Sequence, residues 1–152
     1  MRNSIRIRQA TPAAARLTGL AGWSLIVVAV LHIVAFIPLA PWGEWIDGSL
    51  RSGDADPDSV AVFWALPGGI AIPAVLTGLL MIRFGRQGQR VPLAFGIALI
   101  AWVAVCVWLI GPSGFMAVLV TGGLLIAAAS TDRRKGEVPV DTGTRGRVSG
   151  AA

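Results

Sequence analysis

A long apolar run near the start of the chain, from Leu17 to Pro41, constrains the fold more than any other feature. It contains no Asp, Glu, Lys or Arg, and it carries the only histidine in the protein, His32. About 20 consecutive apolar residues are what an α-helix needs to cross the roughly 30 Å hydrocarbon core of a bilayer. The run therefore predicts a membrane-spanning helix with one ionisable side chain inside it.

Charged residues occupy only short segments between apolar stretches. Only 14% of the 152 residues are charged, whereas about a quarter are charged in a typical soluble domain. Residues 17–43, 59–82 and 91–131 contain no Asp, Glu, Lys or Arg at all. This segregation is typical of a chain that crosses a membrane several times.

The apolar stretches predict an all-α polytopic membrane protein built as a bundle of four transmembrane helices. These helices cover about residues 17–39, 60–82, 92–110 and 115–130. An N-terminal segment, 1–16, precedes them, and a basic tail, 131–152, follows them; we expect the tail to be disordered. Prolines 67 and 73 predict kinks in the second helix, and residues 42–50 predict a short interfacial helix.

The basic residues predict the orientation. Of the thirteen, four lie in the N-terminal segment, three in the loop 83–90 and five in the tail, while the loop 40–59 carries five acids and one arginine. Short loops rich in arginine stay in the cytoplasm. The pattern therefore predicts a multi-pass protein of the cell (inner) membrane, with both termini in the cytoplasm and the acidic loop outside.

The lipid bilayer is the first partner that this composition implies, with a partner membrane protein or a second copy of the chain as further candidates. A net charge of +5 does not indicate a nucleic-acid binder, because the basic residues form no patch with interleaved aromatic side chains. The single cysteine, Cys106, excludes an internal disulfide bond. One histidine without neighbouring ligands predicts no metal site, and we expect no cofactor.

His32 is the strongest candidate for a functional side chain, because ionisable residues within a membrane usually face the protein interior. It lies about seven residues, or roughly 10 Å of helix rise, from the outer end of its helix. The same depth on the other helices predicts that Pro67, Cys106 and Thr121 share its layer. Two interpretations stay open. His32 either bonds a carbonyl freed by a proline, or Thr121, to hold helices together, or it forms a site for ligand binding or proton transfer.

Acidic and aromatic residues near the outer end extend this candidate site. Glu44 and Asp47 are three residues apart, so on a helix they share a face and are placed to assist His32 as acid and base. The alternative is that both are ordinary solvated acids of the loop. Trp64 and Trp108 either line a pocket for a flat apolar ligand beside His32 or anchor their helices at the membrane interface.

Several short motifs occur in a fixed order along the chain. They are Gly22-Trp23 followed by His32, Phe63-Trp64 at the start of a Gly-rich second helix, and Gly111-Pro112-Ser113-Gly114 between the last two helices. Over about residues 17–130 this pattern resembles an uncharacterised family of small bacterial four-helix integral membrane proteins, a domain of unknown function. The resemblance implies the architecture, and it implies no mechanism because the family has no established activity.

The leading functional hypothesis is a non-enzymatic membrane protein that binds an apolar ligand or a partner membrane protein through its outward-facing half. The alternative is a small membrane enzyme, an isomerase or oxidoreductase accessory acting on a lipid-like substrate, with His32 as acid/base and Glu44 or Asp47 assisting. A third hypothesis is the protomer of an oligomeric transporter, since four helices alone do not enclose a path.

Overall fold

The computed structural model describes residues 9–66 and 68–136. Across these residues the chain is helical and contains no strand, which confirms the predicted all-α class for the described part. Residues 1–8 of the predicted N-terminal segment, residues 137–152 of the predicted tail and the candidate Pro67 lie outside the described residues.

The first helix, α1, spans Pro12–Phe36 and begins five residues before the predicted boundary. Thr11 is its N-cap, and the Thr11 hydroxyl accepts a hydrogen bond from the N–H of Ala14 at 3.2 Å. A proline directly after the N-cap suits a helix start, because the first N–H groups of a helix have no intrahelical acceptor. The pair Thr-Pro is therefore the start signal, and a short 3-10 turn, Ile37–Leu39, follows the helix.

Three short helices connect α1 to the second long helix. α2 spans Trp42–Asp47 and α3 spans Ser49–Ser52, in place of the predicted interfacial helix over 42–50. α4 spans Pro57–Ala65, and the carboxylate of Asp56 caps it by accepting from the N–H of Asp58 at 2.8 Å.

The second predicted transmembrane helix is divided in two. α4 ends at Ala65, and α5, Ala71–Arg86, begins only after a non-helical segment. A proline at position 67 has no N–H with which to extend α4, and the N–H of Gly68 donates to the carbonyl of Phe63 at 3.0 Å. Pro73 falls in the first turn of α5, where a missing N–H costs no helical hydrogen bond.

The last two helices form a hairpin. α6 spans Leu93–Ile110 and ends at Gly111, which has a φ of 79° that favours glycine. A 3-10 turn, Gly114–Ala117, leads into α7, Val118–Gly136. α7 therefore continues six residues beyond the predicted boundary and includes the start of the predicted tail.

The four long helices pack as an open row in the order α5, α1, α7, α6. α1 packs along both α5 and α7, and α6 packs along α7. Within the described ranges, α5 and α6 make no extended contact with each other, so the row does not close into a ring of four. α1 and α7 are consequently the two inner helices, and one side of both α5 and α6 has no neighbour among the described residues.

Glycines set the closest helix contacts in this row. A Cβ atom at Gly22 of α1 would lie 2.5 Å from the carbonyl oxygen of Gly78 in α5, and a Cβ atom at Gly85 would lie 2.7 Å from the carbonyl oxygen of Ala15. A Cβ atom at Gly122 of α7 would lie 2.6 Å from the side-chain Cγ1 atom of Ile100 in α6. Small residues let backbones approach closely where dispersion, rather than water exclusion, drives association.

Among the residues that the structure describes, two helical segments are long and apolar enough to cross a bilayer: Pro12–Leu39 and Gly114–Arg133. Leu93–Leu109 is a shorter apolar helix. Only 22% of the apolar window of the first span and 28% of that of the second are buried within the protein, whereas the core helix of a soluble protein is mostly buried. This combination of apolar composition and exposure supports a membrane protein.

The row has two chemically different ends. The arginine end consists of residues 9–18, 83–96 and 128–136; the acidic end consists of residues 37–66 and 108–118. At the arginine end the helices are in close contact, whereas the acidic end contains the short helices and adjoins the break between α4 and α5.

Candidate functional site

His32 joins α1 to the end of α4. Its Nε2 atom lies 2.9 Å from the carbonyl oxygen of Ala65, so Nε2 carries the hydrogen and donates it. The imidazole also contacts Phe36 one turn later, with ring centroids 4.6 Å apart. The side chain is half-buried.

The position of the break explains why this bond forms. The last carbonyl groups of any helix lack an intrahelical donor, and α4 ends at Ala65. In a continuous helix the carbonyl of Ala65 would accept from the N–H four residues later, and here the imidazole of His32 supplies the donor. The geometry corresponds to the structural interpretation of His32, in which the side chain satisfies a carbonyl freed by the proline break.

Of the other members of the predicted His32 layer, Thr121 lies about two helical turns away along α1, and Cys106 lies on a helix that does not pack along α1. Thr121 is fully buried and lies 2.7 Å from the hydroxyl of Ser24. Because the Ser24 hydroxyl donates to the carbonyl of Ala21 at 2.9 Å, Thr121 is the donor of the pair. Ser24 precedes His32 by eight residues, or roughly 12 Å of helix rise. Cys106 is a half-buried free thiol on α6, a helix that packs along α7 and not along α1.

The two candidate tryptophans face outward. Trp64 is 60% exposed and Trp108 is 88% exposed, so neither ring encloses a pocket around His32 within this chain. The exposure of Trp108 corresponds to the anchoring interpretation. Trp64 stacks edge-on against Phe63 at a centroid distance of 5.6 Å.

Glu44 and Asp47 have separate surroundings. Glu44 lines a shallow pocket of about 210 Å³ together with Asp56, Asp58 and Ser59, among others. Its Oε2 atom is buried and has no hydrogen-bond partner among the described residues.

Asp47 is fully exposed and bonds only locally. Its carboxylate accepts from the hydroxyl of Ser49 at 2.6 Å and from the N–H of Ser49 at 3.0 Å. These two bonds stabilise the ionised form and lower the pKa of Asp47. The observed contacts therefore bring neither Glu44 nor Asp47 to the imidazole, which bonds Ala65 instead.

An aromatic contact that the sequence analysis missed holds α2 on α4. The indole Nε1–H of Trp45 donates to the buried hydroxyl of Ser59 at 3.0 Å. The ring of Trp45 packs edge-on against Phe63, with centroids 5.8 Å apart. In the sequence, the available signal for this contact is the position of Trp42 and Trp45 shortly before Ser59, which lies in the first turn of α4.

A buried carboxylate at the arginine end was also missed. Asp132 is 6% exposed. Its Oδ1 atom accepts from the N–H of Thr11 at 2.8 Å, and its Oδ2 atom lies 3.2 Å from Nε of Arg90. The same Nε of Arg90 lies 3.3 Å from the carbonyl oxygen of Gln9. We call these contacts among Gln9, Thr11, Arg90 and Asp132 the Asp132 clasp.

The available signal for the clasp was the position of Asp132, the first charge after a long apolar stretch. An acid at that point among basic residues indicates an ion pair, but the sequence does not say with which of them.

Within residues 9–66 and 68–136, no group of three or more His, Cys, Asp and Glu side chains is placed to hold a metal ion.

With this geometry in place, the chain can be compared with known proteins. A family of unknown function, DUF6463, matches residues 16–132. The chain belongs to this family. The matched range includes all of α5 and α6 and most of α1 and α7. This confirms the resemblance to an uncharacterised family that the motifs suggested. Neither the curated proteins nor the solved structures include a match.

Proposed function

We propose that this chain is a multi-pass protein of the inner membrane that binds a partner membrane protein through its outward-facing half. In this proposal α1, the divided pair α4 and α5, α6, and the 3-10 turn with α7 make four crossings. α6 has 18 residues, which is about 27 Å of helix and matches the hydrocarbon thickness. Both termini lie in the cytoplasm, at the arginine end, as the positive-inside rule requires.

The observation that carries the proposal is the break between α4 and α5 at the edge of the row. Non-helical backbone within the hydrocarbon region is tolerated only where protein or water covers it. α5 packs along α1 on one side, and α4 makes no extended contact with any long helix among the described residues. In the chain alone, the outer side of the break would therefore face lipid. In the proposed complex, a helix of the partner protein covers it.

The side chains on both flanks of the break support a protein surface rather than an enclosed ligand pocket. Trp64 before the break is 60% exposed, and Ile72 after it is 51% exposed. Exposed aromatic side chains beside large apolar ones are typical of protein interfaces. His32 is the positioning element in this proposal, because its bond to Ala65 holds the end of α4 against α1.

The crossings are tested with single cysteines in a background where Cys106 is replaced by serine. Cysteines at Ser52 and Ser113 should react with a membrane-impermeant maleimide in intact cells. A cysteine at Gln87 should react only after the cells are opened. Labelling of positions 52 and 87 from the same side would overturn the topology.

The partner surface is tested by placing a photo-crosslinking amino acid at Ile72 and, as a matched control, at Leu79. Both positions lie on α5 and are 51% exposed, but only Ile72 adjoins the break. A discrete crosslink to one membrane protein, identified by mass spectrometry, should form from position 72 and not from position 79. Equal crosslinking from both positions, or crosslinking to lipid only, would contradict the proposal.

A further inference from the structure

A half-open pocket of about 170 Å³ lies at the arginine end, where the loop after α5, the start of α6 and the end of α7 meet. Arg90, Val91–Leu93, Ala129, Asp132 and Arg133 line it. It therefore combines two guanidinium groups with an apolar wall. The pocket is separate from the break between α4 and α5 and plays no part in the proposed partner surface.

The Asp132 clasp holds one of these guanidinium groups in place. Arg90 bonds Asp132 and the carbonyl oxygen of Gln9 through the same atom, Nε. Its two terminal nitrogens form no hydrogen bond with the described residues, so both can donate to an acceptor on a ligand. A guanidinium whose orientation is already fixed loses less entropy when it binds an anion.

The charge balance of the pocket favours an anion. The side chain of Asp132 is only 7% exposed, and its two oxygens are engaged by Thr11 and Arg90. Arg133 is exposed and lines the pocket without belonging to the clasp. The two arginines and one aspartate leave a net positive charge at the mouth.

From these observations we propose that this pocket binds the phosphate of an anionic phospholipid headgroup. The apolar wall formed by Val91–Leu93 and Ala129 favours a lipid over a free phosphate ion, because a glycerol backbone and the start of an acyl chain can lie against this wall. The inference rests on the proposed membrane location, which places the arginine end among the anionic headgroups of the cytoplasmic leaflet.

The test uses the full chain, purified in an uncharged detergent, and compares phosphatidylglycerol with phosphatidylcholine. Lipid binding is followed by the rise in melting temperature during titration and by native mass spectrometry of bound lipid. Phosphatidylglycerol should bind and phosphatidylcholine should not. Arg133→Gln removes one pocket charge without touching the clasp, and it should weaken binding about fivefold.

Arg86→Gln is the matched control, because Arg86 is an exposed arginine of the same end that does not line the pocket. It should change the affinity by less than about twofold. Equal losses in both variants would show diffuse surface charge and overturn the site. Displacement of the lipid by millimolar inorganic phosphate would overturn the choice of a lipid over a free ion.

A separate measurement keeps this inference distinct from the proposed function. If carbonate washing removes the chain from membranes, the membrane location itself fails. If the chain resists carbonate but binds the two lipids equally well, only the headgroup site fails. Melting temperatures of both variants in phosphatidylcholine confirm that each is folded.

Discussion

The arginine end and the acidic end are built from the same long helices, yet they are held together differently. At the arginine end, glycine contacts bring α1 and α5 to backbone distance, and the Asp132 clasp joins three segments that are far apart in the chain. At the acidic end the main link between α1 and α4 is one hydrogen bond, from His32 to Ala65. The fold is thus anchored at one end and open at the other, and the open end is where a partner has room to bind.

The largest expected effect is a difference in backbone opening between the two ends. Amides of Thr18–Leu25, which continue α1 inward from the arginine end, should exchange with deuterium on the order of 100-fold more slowly than amides of Ser49–Ser52 at the acidic end, because helices with buried contacts open far less often than short exposed turns. Hydrogen exchange with mass spectrometry in detergent measures both. Similar protection of the two segments would remove the contrast between the ends.

The glycine contacts between α1 and α5, which continue one turn inward from the arginine end to Gly22, are tested by Gly22→Ala. The added Cβ would lie 2.5 Å from the carbonyl oxygen of Gly78, so α1 and α5 must separate, at a cost of about 1–3 kcal/mol in the free energy of unfolding. Gly19→Ala is the control, since a Cβ at Gly19 meets nothing within 4 Å. Thermal unfolding in detergent should show a loss for the first variant only; equal stability of both would mean that this crossing is not close.

The Asp132 clasp is tested by Asp132→Ala. The change leaves the N–H of Thr11 and the guanidinium of Arg90 without their shared acceptor, and we expect a loss of about 1–3 kcal/mol. Asp132→Asn, which keeps an oxygen for Thr11, should recover part of it. If the two variants unfold at the wild-type temperature, the clasp does not contribute to the stability of this end.

The link between α1 and α4 at the acidic end is tested by His32→Ala, which leaves the carbonyl of Ala65 without its donor. A buried acceptor left unpaired costs about 1–3 kcal/mol, and the lower part of that range is expected because His32 is half-buried. His32→Gln keeps an N–H donor and should restore part of the stability. A glutamine variant no more stable than the alanine variant would argue against the hydrogen bond as the source.

The smallest effect concerns Asp47, at the far surface of the acidic end. The bonds from Ser49 lower its pKa below the ordinary value of 3.8, so the folded state binds this proton less readily than the unfolded state. The resulting stabilisation of the folded state is present above pH 3.8 and is lost as the pH falls through the lowered pKa that Asp47 has in the folded state. Ser49→Ala should raise the pKa of Asp47 in a carboxyl NMR titration, whereas Ser52→Ala should leave it unchanged.

Much of the helical architecture was predictable because charge-free stretches and their boundary residues are local signals. The bond from His32 to the second helix was also among the predicted alternatives, since a proline frees a carbonyl wherever it interrupts a helix. The open row was not predictable. α1 and α6 are apolar on nearly all sides, so their sequences show no apolar stripe that would mark the face in contact with a neighbouring helix.

Contacts between distant residues were the other limit. Thr11 and Asp132 are 121 positions apart, and Ser24 and Thr121 are 97 apart. Counting depth along the helices placed Thr121 beside His32, but a difference of two helical turns separates them. Depth counting assumes that all four helices begin at one level, whereas α1 begins at Pro12 and α7 continues to Gly136.

The inner place of α1 in the row has a consequence for how the protein is made. α1 leaves the ribosome before the other three long helices and α7 leaves it after them, so α1 must wait for one of its two neighbours until the other long helices have been made. Ser24 suits this delay, because its hydroxyl already donates to Ala21 within its own helix and has no need of Thr121 in the meantime. α5 emerges earlier, so its glycine contacts with α1 can form before the hairpin of α6 and α7 has been made.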